Sequence, residues 1–539
     1  MPADRPASGR ISSPGGGKGA LPSLLGGFAT VGGLTLVSRI LGFARDILVA
    51  RYLGAGLAAD CFFVAFKLPN FFRRLFAEGA FAAAFVPLFS KALGREPTAE
   101  SRRAAKAFAE DTLSVLLAVL LLFTALAETA MPWAMVALAP GFVDQPDKFA
   151  LAVELTRITF PYLLLISLVA LFSGVLNAVG RFAIPASAPI LLNLVLIASV
   201  LGFHDSELIT ARALAVGVSL AGIAQFLWLM AALRRAGFAL RLPRPRLTPG
   251  VKRLLVIMMP VALGAGVMQV NLVFDIVLAS FLPEGSLSWL FYADRLNQLP
   301  LGVIGIAVGT VLLPRLARSL SAGEDVEANQ THNRAIEFAL LLTLPAAAAL
   351  TILAPFLIRV LFEHGAFTAG DTAATARALV AFAAGLPAFV LVKVLAPGFF
   401  AREDTKTPVR FALAAMAVNV VLALGLIWPL AHVGLALATS LASWLNAGLL
   451  FAALLRRGHL ALDSRLRRRL PRILAASGGM GLVLAAGLRW LPITGATSTA
   501  AEIGGLAAMV LLGLASYGLL AQVSGAAHWR DVAGALRRS

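Results

Sequence analysis

The sequence predicts an all-α polytopic membrane protein of about fourteen transmembrane helices, arranged as two six-helix lobes followed by two C-terminal helices. Three observations predict it: an apolar composition, basic residues gathered on alternate connections, and a repeat between the two halves. Of the 539 residues, 59% are hydrophobic and 14% charged, and the mean hydropathy is +0.85. A soluble domain carries about 25% charged residues, so this chain has too little polar surface to face water on all sides. A span needs roughly 20 apolar residues to cross about 30 Å of hydrocarbon. Windows of that kind recur at 24–52, 57–90, 107–138, 153–178, 184–203, 209–233, 254–282, 286–314, 336–360, 373–401, 409–429, 432–455, 473–491 and 500–523.

The formal net charge of +18 is informative through its distribution. With the N-terminal tail placed inside, the inside connections hold 32 of the 46 Lys and Arg residues. The outside ones hold Arg51, Lys148, Arg157, Arg212, Arg359, Arg377 and Arg489, beside Asp144, Asp147, Asp205, Glu207 and Glu284. This asymmetry is the positive-inside rule, and it predicts an inner-membrane protein with both termini in the cytoplasm. Contact with anionic membrane lipid accounts for the basic excess, and no nucleic-acid partner is expected. The resulting organisation is a disordered cytoplasmic tail over 1–23, an N-lobe over 24–235 and a basic linker over 236–253. A C-lobe over 254–457, a second basic linker over 458–472, two helices over 473–523 and a tail over 524–539 follow. The first twenty residues lack the compact apolar core and small-residue cleavage site of a signal peptide.

Cys61 is the single cysteine, which excludes an internal disulfide, and the six histidines show no ligand-pair spacing. No metal or cofactor site is expected. An enzyme acting on polyprenyl phosphates would need a carboxylate cluster or a histidine acid–base pair. The acidic pairs Asp144 with Asp147 and Glu403 with Asp404 sit in loops without histidine, and no Walker-type glycine loop occurs. No catalytic residue is assigned.

Seven basic residues fall inside the spans: Arg39, Arg45, Lys67, Arg73, Arg74, Arg295 and Lys393. A lipid-facing arginine at that depth would cost several kcal/mol, so these groups are expected to face a cavity. The spans that carry them are broken by Pro69 and Gly79, and by Pro300, Gly305 and Gly309. Such punctuation at membrane depth marks backbone that lines a cavity. Arg45 beside Asp46, Arg74 one turn from Glu78, and Arg295 beside Asp294 read equally as internal ion pairs that hold helices together. Arg39 and Arg73, however, have no acid three or four positions away. In the first, second and eighth spans, six basic residues also outnumber Asp46, Asp60, Glu78 and Asp294. A residual positive cavity follows, suited to phosphate because guanidinium forks bind its oxygens bidentately. The candidate site is therefore Arg39, Arg45, Arg73, Arg74 and Arg295 with Asp46, Glu78 and Asp294.

The two halves also repeat. Pro87 aligns with Pro314, and Pro161, Gly174, Pro185 and Asn193 align with Pro387, Gly398, Pro408 and Asn419, at offsets of about 224 to 227 residues. Six spans separate the copies, so the two lobes share one orientation.

Ser38-Arg-Ile-Leu-Gly-Phe-Ala-Arg-Asp46, Ala65-Phe-Lys-Leu-Pro-Asn70, Arg73-Arg74 and Ala77-Glu-Gly-Ala-Phe81 strongly resemble the MurJ/MviN family of bacterial lipid II flippases. Tyr292-Ala-Asp-Arg-Leu296 and Val392-Lys-Val-Leu-Ala-Pro-Gly-Phe399 are similar to later signatures of that family. The resemblance runs from about residue 24 to 457. It implies the fold of the multidrug/oligosaccharidyl-lipid/polysaccharide exporters. It also implies export of undecaprenyl-pyrophosphoryl-disaccharide-pentapeptide, lipid II, for peptidoglycan synthesis by alternating access. The family's cavity arginines map onto Arg39, Arg45, Arg73 and Arg295, and the last two spans are implied to form an apolar groove for the polyprenyl tail. Some members carry a sodium site, which Asn419 and Thr439 fit with Asp275 as a third ligand. Ala423 stands where an acid is expected, so sodium, protons and membrane potential all stay open as the drive. Rival readings are a flippase for another polyprenyl-linked polysaccharide and a drug exporter, which would want an acidic cavity for its cations. A further one is a scaffold for cell-wall synthesis or division machinery.

Overall fold

The computed structural model describes residues 20–73, 81–94, 96–490 and 498–527; Arg74 and Glu78 of the candidate site lie outside the described residues. The first half is built from α1 (Ala20–Leu53), α2 (Leu57–Phe72), α3 (Ala82–Leu93), α4 (Ala99–Leu138), α5 (Pro146–Thr159), α6 (Tyr162–Ala178), α7 (Ala183–Gly202) and α8 (Glu207–Arg235). The second half has α9 (Pro249–Ser280), α10 (Ser286–Ser321), α11 (Asp325–Phe362), α12 (Ala369–Leu395), α13 (Pro397–Phe400) and α14 (Lys406–Arg456). The hairpin of α15 (Ser464–Trp490) and α16 (Thr499–Ser524) closes the chain, and no strand occurs among the described residues.

Among the described residues, nine helical segments are long and apolar enough to cross a membrane. One of them, α14, has 51 residues and would run to about 77 Å if straight, more than twice the hydrocarbon thickness. It is two legs joined at Ala431, whose φ of 48° and ψ of −131° break the helix. The expected spans 409–429 and 432–455 are those legs.

The second span is described as α2 and α3, with residues 74–80 between them outside the described residues. Two expectations about the later spans and linkers need correction. The fourth span begins early, with α5 at Pro146, so Lys148 is a buried helical residue instead of part of an outside connection. The second basic linker is helical from Ser464 onward.

Within the first half, α1 packs on α7, α7 on α8, α8 on α6, and α2 on α5; within the second, α12 packs on α10, α11 and α14. The repeat is visible in one contact. Arg45 Nη1 donates to Asn193 Oδ1 at 3.0 Å, and Asn419 Nδ2 donates to Asn271 Oδ1 at 2.8 Å, each across 148 residues of chain. The helices α1 and α7 of one half are thus matched by α9 and the first leg of α14 in the other. The helix α9 also leans on the first half at both ends. A Cβ on Gly250 would sit 3.0 Å from the Phe108 ring, and Gly141 N donates to Ser280 Oγ at 3.0 Å.

The α15–α16 hairpin is fastened to α11 at two levels. Glu337, 5% exposed, accepts from Arg465 at 3.2 Å, from Arg469 at 2.5 Å and from Arg334. At the other end of α11, Arg359 pairs with Glu502 at 3.1 Å. Glu337 and Arg359 are 22 residues apart, about 33 Å along the helix, which matches the hydrocarbon thickness. Between them Leu353, Phe356 and Val360 pack with Met480, Leu484 and Met509. Charges at the two interfaces and apolar packing between them make the hairpin an appendage of the second half.

Replacing Glu337 by Ala strips three arginines of a shared acceptor. Hydrogen exchange over residues 464–476 is expected to rise about tenfold or more, with α11 itself little changed. Unchanged protection there would show that apolar packing alone holds the hairpin.

Candidate functional site

The site is assembled where α1, α2 and α10 meet. Asp46 of α1 is 2% exposed and accepts from two arginines. Arg45, its own neighbour, donates through Nε at 3.0 Å and Nη2 at 2.6 Å to Oδ1. Arg295 of α10 donates through Nε at 2.5 Å to Oδ2. Successive helical residues do not face each other, so the Arg45 guanidinium folds back to reach Asp46 and is held there by Asn193 and by the Phe66 ring at 5.8 Å. Asn193 in turn donates to Ser38 O at 2.9 Å.

The expected pairing of Arg295 with Asp294 is therefore corrected. Asp294 bonds Gln298 one turn on, and Arg295 crosses to the other half instead. The reason is positional: residues i and i+1 on α10 diverge by about 100°, which aims Arg295 at α1.

Arg39 sits nearly two turns before Arg45 on α1, with its side chain on the exposed face. Its guanidinium lies against α10 at Gly302, where a Cβ would come within 2.0 Å of Nη1. Lys393 of α12 is close enough for the two cations to act on each other. Neither has a hydrogen-bond or ion-pair partner among the described residues. Arg45 and Arg295 are held by a shared carboxylate, whereas Arg39 and Lys393 carry charge that the described residues leave unmatched.

The helix α2 reaches the site through a proline. Pro69 has no N–H for Ala65 O, and the buried Thr159 hydroxyl donates to that carbonyl at 2.9 Å instead. Asn70 Nδ2 donates to Phe66 O at 2.7 Å, and Asn70 Oδ1 accepts from Arg73 Nε at 3.1 Å. Lys67, on the same turn, shares its electrostatic surroundings with Asp294 of α10 and Asp275 of α9.

Of the residues proposed for sodium, Asn419 donates to Asn271 at 2.8 Å and lies close enough to Asp275 to act on its carboxylate. The hydroxyl of Thr439 bonds Leu435 O in its own helix at 3.1 Å. Asn419 turns its nitrogen toward Asn271, and its Oδ1 is buried without a hydrogen-bond partner among the described residues. Ala423 supplies no second carboxylate, while the Lys67 ammonium acts on Asp275.

The sequence reading missed the role of Asp60. It counted Asp60 among the cavity acids, but the residue lies at the end of the bundle where α1 turns into α2. Asp60 is 1% exposed and accepts from Lys148 Nζ at 3.1 Å, Gly285 N at 2.9 Å, Ser288 N at 3.1 Å and Ser288 Oγ at 2.8 Å. It therefore caps the N-terminus of α10 from the other half of the molecule, at the positive end of that helix's dipole. A signal was present: Gly285 precedes α10 with no capping side chain of its own, so a cap had to come from elsewhere. Around it Tyr292 donates to Gly54 O at 2.9 Å, Ala366 N to Arg51 O at 2.8 Å and Leu57 N to Glu284 at 2.5 Å. Gly54, at φ +68°, and Gly285, at φ +90°, let the loops touch; a Cβ on either would lie under 3.0 Å from a backbone oxygen of the facing segment. At this end the two halves are closed on each other.

A family model described as lipid II flippase MurJ matches residues 49–500. A protein named probable lipid II flippase MurJ from Rhizobium tropici is 48% identical over 512 residues, covering 93% of this chain and 95% of its own. The lipid II flippase MurJ of Burkholderia cenocepacia is 37% identical over 433 residues, covering 80% and 83%. A solved lipid II flippase MurJ in an inward closed conformation superposes with a TM-score of 0.76 at 26% identity, over 93% of this chain and 99% of that one. An inward-facing multidrug transporter of the MATE family shares the fold at 16% identity and a TM-score of 0.62, over 78% and 94%.

Asp60→Ala leaves Lys148 buried without a counter-charge, and breaking a buried pair costs about 3–5 kcal/mol. A marked drop in the thermal midpoint is expected. Asp60→Ala with Lys148→Met should recover most of it, short of about 1 kcal/mol for the lost cap. Thermal unfolding of the wild type and both variants in one detergent checks this. A double variant no more stable than the single one would mean that the pair is not what holds this end.

Proposed function

The chain belongs to the MurJ family of lipid II flippases, and from that premise we propose that it carries lipid II from the inner to the outer leaflet of the bacterial inner membrane. It does so without covalent chemistry. The observation that carries this reading is the pair Arg39 and Lys393, cations on opposite halves with no acid among the described residues to neutralise them. A pyrophosphate dianion placed between them supplies the missing charge, and an arginine fork suits its oxygens better than a point charge. The Arg45–Asp46–Arg295 bridge serves as the frame behind that seat. Gly302 is part of the seat, because only its lack of a side chain admits the Arg39 guanidinium.

The membrane side follows from charge: the closed end carries the sparsely basic connections, so it is read as the periplasmic face, with both termini in the cytoplasm. Transport then proceeds by alternating access. In the closed-outside state Asp60 and Asp46 both hold α10, and the cargo enters from the cytoplasmic side. Opening the outer face requires Asp60 to release the α10 N-terminus while keeping Lys148, which lies on its own side of the break. Two cations facing each other across a poorly hydrated gap resist closure of the inner face until an anion lies between them. Rocking of residues 24–235 against 254–457 is thereby tied to cargo, with α9 as the element in touch with both. Sodium, protons and membrane potential all stay open as the drive, and no ion-driven step is assigned.

Arg39→Ala and Lys393→Ala are each expected to cut lipid II translocation by about 10- to 100-fold, the worth of one charge-assisted contact. Gly302→Val should do the same by evicting Arg39, with the inserted amount unchanged. Arg39→Lys should restore part of the rate. A lipid II accessibility assay in cells depleted of other flippases measures all four. Full activity of both alanine variants would remove the seat.

Spectroscopic labels near Arg51 and Glu284 should report a short separation in the resting protein, as the Leu57 contact with Glu284 demands. Adding lipid II under transporting conditions should populate a longer distance, and Arg39→Ala should abolish that shift. An unchanged distribution with saturating lipid II would overturn the rocking cycle.

A further inference from the structure

The segment between α8 and α9 is unlike an ordinary connection. No acidic residue occurs between Glu207 and Asp275, while seven basic ones lie between Arg234 and Arg253, all exposed. None of the seven has an ion-pair partner among the described residues. The segment is nonetheless fixed in place. Gly237, at φ +82°, ends α8, and Phe238 then buries itself to 2% exposure against Phe89, with the Arg102 guanidinium 5.9 Å from its ring. Arg241 N donates to Glu110 Oε1 at 2.8 Å, and Leu240 packs on the core. Pro243 and Pro245 keep the next residues extended until Pro249 opens α9.

Two leucines on this strap point outward: Leu242 is 61% and Leu247 57% exposed. In the spans an exposed leucine faces lipid tails, but these two lie outside any span. A chain in water has no reason to hold two leucines out beside Arg244 and Arg246 on a pinned backbone. At a membrane surface the same pattern places leucines among acyl chains and guanidinium groups on phosphates.

We propose that the strap over residues 236–253 is a binding surface for anionic phospholipid, with Arg244 and Arg246 on the phosphodiester headgroups and Leu242 and Leu247 in the acyl region. Because the strap is pinned to α3 and α4 and leads straight into α9, bound lipid ties the start of that helix to one leaflet. A topological signal would need only the charges. The pinned backbone and the outward leucines are what a lipid surface adds. The inference does not depend on which cargo the cavity carries, so the two readings fail separately.

The test is native mass spectrometry of the purified full-length chain in neutral detergent, titrated with phosphatidylglycerol or phosphatidylcholine. The wild type is expected to retain phosphatidylglycerol preferentially. At low salt Arg244→Gln with Arg246→Gln should lower that retention by about 25-fold, from roughly fivefold per arginine, and the gap should narrow at high salt. Leu242→Ser with Leu247→Ser, which keeps every charge, should also weaken retention. Thermal midpoints equal to the wild type confirm that the variants are folded. Equal retention by wild type and arginine variant, or of both lipids, would overturn the proposal. So would displacement by inorganic phosphate at an ionic strength where chloride has no effect, because that identifies a free-anion site. Full retention by the leucine variant would reduce the strap to a charge signal and overturn the lipid surface.

Discussion

A charge inside hydrocarbon has no water to turn to, and the arrangement of this molecule follows from where its charges find protein partners. Two carboxylates of the first half, Asp46 and Asp60, both spend their lone pairs on one helix of the second half. Asp46 takes Arg295 from the body of α10, and Asp60 takes the amides and hydroxyl at its start. The same helix is thus gripped at two depths, and the closed end of the bundle depends on that grip. Each contact can be exchanged for a partner on its own side, Arg45 for Asp46 and Lys148 for Asp60, so letting α10 go leaves neither carboxylate bare.

That exchange explains why the basic residues divide into two kinds. Arg45, Lys148 and Arg295 are committed to carboxylates, and their burial or ring contacts hold them in one geometry. Arg39 and Lys393 are committed to nothing among the described residues. A protein that only needed to hold its helices together would have no use for two facing cations, and their repulsion raises the energy of the empty site. An anion placed between them would relieve that repulsion.

The accessory parts obey the same rule at the membrane boundaries. Glu337 and Arg359 fasten the C-terminal hairpin at the two interfaces, where partial hydration lowers the cost of ion pairs, and leave the stretch between them to apolar side chains. The repeated contact, Arg45 with Asn193 and Asn271 with Asn419, shows one scaffold used twice with different charge. In the first half the donor is an arginine backed by Asp46. In the second an amide stands in its place, and the nearby carboxylate, Asp275, looks toward Lys67.

Helical architecture and the family were both legible in the sequence. Hydrophobic length, basic asymmetry and motifs such as Ala65 to Asn70 are local properties of the chain, and the bilayer converts them directly into spans. The repeat was legible for a similar reason, because proline, glycine and asparagine punctuate both halves at one offset. Partner choice was not. Neighbours in sequence suggested Asp294 for Arg295, but a helix turns adjacent side chains about 100° apart, and the partner came from α1. Asp60 looked like one more cavity acid, because nothing local shows that a carboxylate on α2 will cap a helix that begins some 225 residues later. Lys148 looked like a loop residue for want of a visible boundary before Pro146. Which charges are matched and which are left over is set by how the two halves meet. It is decided in three dimensions because a buried charge takes the nearest partner in space, whatever its distance along the chain.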